Sequence, residues 1–216
     1  MRRRIVTVLA ALAVGIGGLT PAVAAADVFD GGRLGGASSQ LVPQGSSSSG
    51  NELPENSEPV DLERYQGTWY QVAAVPQPFS VQCAHDTKAE YKVIDDTKIS
   101  VKNSCGTLVG PDSSIEGTAS VRSDASLRVN FSGIPYQDPN GPVNYRVTYL
   151  DSDYSLAIVG DPQRRSGFVL SRTQKLDANK WSQVREIVEQ RGWWSCSFLT
   201  VPMANGRGDV VPLCTQ

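Results

Sequence analysis

The sequence predicts an all-β protein: an eight-stranded antiparallel up-and-down barrel, followed by a C-terminal α-helix and a short ninth strand. Three observations carry this prediction. Eight short runs of alternating apolar and polar residues succeed one another between Thr68 and Thr173. The gaps between them are mostly of hairpin size and hold turn residues, as in "DDTK", "RSDAS" and "DPQRRS". Beyond the last run the apolar spacing lengthens to that of a helix. Eight consecutive strands leave two edges unpaired unless the sheet closes on itself, and closure leaves a lumen wide enough for one small ligand. A sandwich needs long crossovers, which the short gaps do not provide.

The elements follow in chain order. "MRRR" is a basic start, Ile5 onward is an apolar stretch, and Ala22-Val23-Ala24 or Ala24-Ala25-Ala26 offers small residues at cleavage spacing. Residues 1–26 therefore read as a signal peptide, with an uncleaved anchor as the other reading. Residues 27–59 are dense in Gly, Ser, Pro and Asn without apolar periodicity and read as a disordered linker. The barrel domain is expected over residues 60–203. Its strands are "TWYQVAAV", "KAEYKVI", "ISVKNSC", "SIEGTASV", "LRVNFSG", "NYRVTYLD", "YSLAIVG" and "GFVLSRT". The helix is read from Trp181, Val184, Ile187 and Val188, with Asp177 as its cap and Gly192 as its end. "SFLTVP" supplies the ninth strand, and residues 204–216 form a tail tied down by a disulfide.

The charge balance is even, 20 basic against 22 acidic residues for a net charge of −2, which provides no field for nucleic acid. Contact with a membrane is expected to be transient, or through the uncleaved anchor. Cys83, Cys105, Cys196 and Cys214 are an even set without C-x-x-C spacing, which in an exported chain reads as two disulfides and not as a zinc site. Cys83 and Cys105 flank a hairpin whose ends meet, which favours Cys83–Cys105 and leaves Cys196–Cys214. A Cys105–Cys214 pairing stays open.

"GTWYQVAAVP" opens the first strand with Gly67 and Trp69. Asp153 and Tyr154 in "DSDY" stand at the turn between the sixth and seventh strands, and Arg172 in "VLSRT" ends the eighth. In these three motifs, and in their order, the chain resembles the lipocalins, closest to the bacterial lipocalins and apolipoprotein D. The resemblance implies that Arg172 packs over Trp69 and closes the base of the barrel, so that these residues are structural. It also implies a carrier of fatty acids or lysophospholipids. Many bacterial lipocalins have an N-terminal lipid-bearing cysteine, which this chain lacks near its cleavage point.

Parity with Trp69 and along the other strands sets the expected lumen. It comprises Gln71, Ala73, Val75, Tyr91, Val101, Asn103, Ala119, Val121, Val129, Phe131, Phe168 and Leu170, an apolar wall with a few polar groups. The parity of Tyr145 and Tyr149 is ambiguous. Catalytic residues, metal and cofactor are expected to be absent. The enzyme alternative requires a free thiol in the lumen, and the haem alternative requires His85, the only histidine, as axial ligand. A third alternative is a loop-mediated protein-binding module presenting "IPYQDPNGP". Asp95-Asp96 reads as turn chemistry. Trp193 and Trp194 read as a seal of helix on barrel, and "RGD" at Arg207–Asp209 as coincidence. The expectation is thus an extracytoplasmic carrier of a small hydrophobic ligand.

Overall fold

The computed structural model describes residues 51–216, so the predicted signal peptide and most of the predicted linker lie outside the described residues. A single antiparallel sheet dominates. Its strands are β1 (Gly67–Ala74), β2 (His85–Asp95), β3 (Lys98–Gly106), β4 (Ser113–Val121), β5 (Ser126–Phe131), β6 (Tyr145–Leu150), β7 (Leu156–Gly160) and β8 (Gly167–Ser171). Each pairs with the next, and β1 pairs with both β2 and β8, so the eight strands close into a barrel. The ninth strand, β9 (Leu199–Thr200), adds to the end of β1 through Ala73↔Thr200 and Ala74↔Leu199. Up-and-down connectivity puts the β1–β2, β3–β4, β5–β6 and β7–β8 connections at one end, the mouth. The other hairpins lie at the base.

Two apolar clusters result from the period-two alternation of the strands. One fills the barrel, with Trp69, Tyr91, Val101, Leu127, Val129 and Leu170 among its members. The other lies between the outer wall and α2 (Ala178–Gln190), where Trp181, Val184, Ile187 and Val188 face Val72, Ile158 and Val169. These are the four helical positions read from the sequence. Asp177 caps the helix by accepting from the Lys180 N–H at 2.8 Å, and Gly192 follows it at φ +85°. Such an amphipathic face, and not intrinsic propensity, holds a 13-residue helix.

Two expectations are corrected. The linker was expected to run to residue 59, yet Leu53 within it packs against the barrel. Leu53 is fully buried, its N–H donates to Pro162 O at 2.8 Å, and Arg146 donates to Leu53 O at 2.6 Å. Glu52 and Glu55 flank the same guanidinium at 3.3 and 3.8 Å, which pairs a cation that the strap covers. Ala73 and Val75, expected in the lumen, lie outside against α2. The register of β1 on β8 steps from Gln71↔Leu170 to Ala73↔Val169, and this bulge inverts the parity beyond Gln71. A second irregularity between Val147 and Tyr149 does the same in β6, so Tyr145 faces inward while Tyr149 faces the helix.

Candidate functional site

The base is closed by a plug built on the first strand. Asp61 caps the short helix α1 (Leu62–Tyr65), accepting from the N–H groups of Glu63 and Arg64. This turn sets Tyr65 against Trp69, ring centroids 5.0 Å apart, and the indole N–H donates to Tyr65 O at 2.8 Å. Arg172 lies over the other side of the plug, its guanidinium carbon 3.9 Å from the Trp69 ring centroid. It donates to the carbonyls of Arg64, Gln66 and Thr68 at 2.9 Å and of Tyr65 at 3.2 Å. Gly67 stands at φ +96°, and a Cβ there would come within 3.3 Å of the Arg172 guanidinium. Glycine is required at this position by both conformation and space. Tyr154, at φ +61°, accepts from the Asp61 N–H at 2.9 Å, and Asp153 accepts from Ser155 N–H, so the "DSDY" turn locks α1.

Above the plug the interior changes character. Three tyrosines from α1, β2 and β6 meet: Tyr65 and Tyr145 hydroxyls are 2.7 Å apart, and those of Tyr91 and Tyr145 are 3.1 Å apart. Burial pushes Tyr91 up to about 12 and holds Tyr65 and Tyr145 well above the usual phenol range, so the chain of hydroxyls is neutral. Tyr65 was not singled out from the sequence, although its place four residues before Trp69 and after a capping Asp61 is a readable signal. Ala119, Val129 and Leu170 complete the buried lower half. Nearer the mouth, Gln71, Asn103, Ile115, Phe131 and Phe168 are only partly buried, so the barrel opens there as a cup. Val121, in contrast, lies low, at the β4–β5 hairpin.

Of the twelve residues expected in the lumen, ten thus share the interior, while Ala73 and Val75 do not. Ile115, which pairs with Asn103, belongs with them. None of these inward positions is charged. The Asn103 side-chain oxygen is buried without a hydrogen-bond partner. A cavity of about 410 Å³ lies at the base, between α1 and the β2–β3 and β4–β5 hairpins, lined by Leu62, Thr97, Arg122 and Leu127. It lies at the end opposite the mouth.

Both disulfides pair as favoured from the hairpin geometry, Cys83–Cys105 and Cys196–Cys214. All four sulfurs are thereby engaged, and no thiol remains for the nucleophilic alternative. His85 is half exposed and bonded to Asp86 at 2.7 Å. Trp193 does seal the helix junction, edge-on to Phe198, whereas Trp194 is 72% exposed. In the "RGD" tripeptide Arg207 is paired with Asp209, so the two charges close on each other. Among the described residues, no group of three or more metal-ligating side chains is present.

A family profile for the lipocalin-like domain matches residues 60–203. Among curated relatives, temperature-induced lipocalin-1 of Arabidopsis thaliana is 35% identical over 140 residues, covering 62% of this chain and 74% of that protein. Outer membrane lipoprotein Blc of Vibrio cholerae is 32% identical over 149 residues, 65% of this chain and 83% of that protein. Among solved structures, the cockroach allergen Per a 4 aligns with a TM-score of 0.54 at 17% identity, covering 69% of this chain and 92% of that one. Insecticyanin from the tobacco hornworm Manduca sexta aligns at 0.50 with 20% identity, covering 74% and 93%.

Proposed function

The chain belongs to the lipocalin family, and we propose that its barrel carries or sequesters a single-chain lipid, a fatty acid or lysophospholipid, outside the cytoplasm. The observation that carries this reading is an interior without charge, closed at its base by the Tyr65, Trp69 and Arg172 plug and half open towards its mouth. An acyl chain entering the cup gains about 0.8 kcal/mol for each methylene it buries, before the costs of association. An anionic head group has no cation inside to pair with, so it stays at the mouth, in water. Of the two ligand classes, the lysophospholipid fits better. Its glycerol hydroxyl donates, and Asn103, three residues from the mouth end of β3, has an acceptor without a donor. Two disulfides suit an oxidising compartment, and the predicted signal peptide suits export. Nothing in the site calls for chemistry on the ligand.

The test is displacement of a fluorescent acyl probe, together with native mass spectrometry of the protein and extraction of what it carries. Stoichiometric lysophospholipid, displacement in the micromolar range, and an Ile115→Trp variant that binds at least about tenfold more weakly by filling the cup are the expected results. A protein that carries no lipid and displaces no probe, while folded, refutes the proposal.

A further inference from the structure

The largest exposed apolar side chains are not scattered. Of the nine that stand out among the described residues, Phe79, Val81, Leu108, Val109, Ile134 and Tyr136 lie on three neighbouring mouth connections, β1–β2, β3–β4 and β5–β6. Their exposure runs from 48% at Ile134 to complete at Tyr136. Single exposed apolar residues are ordinary, but a rim of them on adjacent loops is not.

These loops are braced with the apolar groups outward. Thr107 Oγ1 donates to the carbonyls of Val109 and Pro111, which holds Leu108 and Val109 at the tip. The Phe131 N–H donates to the Gln137 side chain at 2.9 Å, and Arg128 donates to Asp138 O at 3.0 Å. Gln82 donates to Phe79 O, and the Cys83–Cys105 bridge ties the first loop to the foot of the second. At Gly110 and Gly133, both at positive φ, an added Cβ would meet nothing within 4 Å, so these tips stand clear of the barrel. Tyr136 holds a left-handed backbone at φ +62° with its ring wholly in water. A non-glycine residue in that region is strained, and no contact of the ring repays it within the chain.

Charge decides what such a rim can meet. Residues 76–84, 106–112 and 132–144 contain no lysine, arginine, histidine or glutamate, and two aspartates, Asp112 and Asp138. On the fourth mouth connection, β7–β8, Arg164 is held by the carbonyls of Arg191, Asn51 and Glu52, and Arg165 pairs with Asp161 at 3.1 Å. The rim is therefore apolar and close to neutral, without the basic cluster that an anionic surface requires. It is also continuous with the half-open cup beneath it.

We propose that the mouth of the barrel docks on a zwitterionic lipid surface, with these six side chains immersed among the head groups and the cup facing the lipid. This goes beyond binding a ligand in the lumen: it names the surface on which loading or delivery takes place. A chain moving between lipid and cup in this pose does not cross water, which removes the largest barrier to its transfer.

The experiment is sedimentation of the full chain with phosphatidylcholine vesicles, beside a Leu108→Ser/Val109→Ser/Tyr136→Ser variant that alters no interior position. The native chain is expected to bind, with little response to added salt, and the variant at least about tenfold more weakly. A Val109→Trp variant moves the other way and binds more tightly. Amide hydrogen exchange in residues 77–84, 106–112 and 132–144 is expected to slow when vesicles are added. Equal binding by native and triple variant overturns the proposal, as does exchange protection elsewhere alone. Binding restricted to anionic vesicles and lost in salt overturns it too. A rim-dependent dimer in the absence of lipid, seen by sedimentation equilibrium, assigns the surface to a second copy instead. No diffusible ligand is needed in any of these measurements, so their outcome is separate from that of the lumen reading.

Discussion

Replacing Arg172 with alanine tests the base of the barrel. The guanidinium does two things at once: it covers the Trp69 ring at 3.9 Å and ties down the carbonyls of Arg64, Tyr65, Gln66 and Thr68. A desolvated cation over tryptophan contributes about 2 kcal/mol. Hydrogen bonds from a charged donor contribute about 1.5–3 kcal/mol each, but the carbonyls of surface residues such as Arg64 rehydrate once the side chain is gone. Taking the Trp69 contact and one full bond gives a loss of about 3.5–5 kcal/mol. For a domain of this size that lowers the midpoint of thermal unfolding by roughly 10 °C. Thermal unfolding followed by near-ultraviolet circular dichroism measures it. Arg172→Lys retains the charge without the planar fork that reaches several carbonyls, and is expected to recover less than half of the loss. An Arg172→Ala midpoint within about 2 °C of the native value, or a lysine variant as stable as the native chain, refutes the plug described here.

Leu53→Ala is expected to cost about 2–4 kcal/mol, since the side chain is wholly buried; a neutral effect in urea denaturation shows that the strap over Arg146 is dispensable. Burial pushes the Asp161 carboxyl up, but the Ser166 N–H, Arg165 and the Ser166 hydroxyl outweigh it and leave the group below the usual carboxylate range. Its contribution is complete above the unfolded value of about 3.9 and is lost as the pH falls through the lower folded value. Asp161→Asn should therefore cost about 1–3 kcal/mol near neutrality, with the gap to the native protein closing below about pH 4, as read from urea titrations across pH. Burial, with Asp151 as hydrogen-bond partner and neighbouring charge, raises Tyr149 to about 12, and burial raises Tyr91 to about 12. These groups stabilise the fold fully below the ordinary tyrosine value of about 10, and that stability is lost as the pH rises from there towards 12. An ultraviolet phenolate titration should show Tyr65, Tyr91, Tyr145 and Tyr149 ionising late and with unfolding. Their ionisation near pH 10 in a folded chain would contradict the buried hydroxyl cluster.

Most of the site is readable from the sequence because β-strands impose a period of two, and a residue two positions along β3 or β5 shares the face of the one before it. Val101, Asn103, Ala119, Val129 and Phe131 follow that rule and line the interior as expected. Ala73 and Val75 break it. A bulge adds one residue to β1 without changing its composition, so nothing in "GTWYQVAAV" announces the inversion. The same holds for Tyr145 and Tyr149, which a second bulge divides between barrel and helix. Leu53 is a single apolar residue in a polar stretch, and only the groove above Arg146 makes it a structural one.

The sequence by itself determined the architecture: the strand count, the closure, and the helix with its cap and four buried positions, while the resemblance to the lipocalins implied the Gly67, Trp69 and Arg172 base. Those features depend on local periodicity, turn residues and motifs that contiguous residues carry. Tertiary structure alone decided which side of the wall each residue beyond a bulge faces and how three tyrosines remote in sequence join hydroxyls. It also decided that apolar residues on three separate loops form one rim. Each of these depends on what lies opposite in space across a closed sheet, and a linear pattern has no record of it.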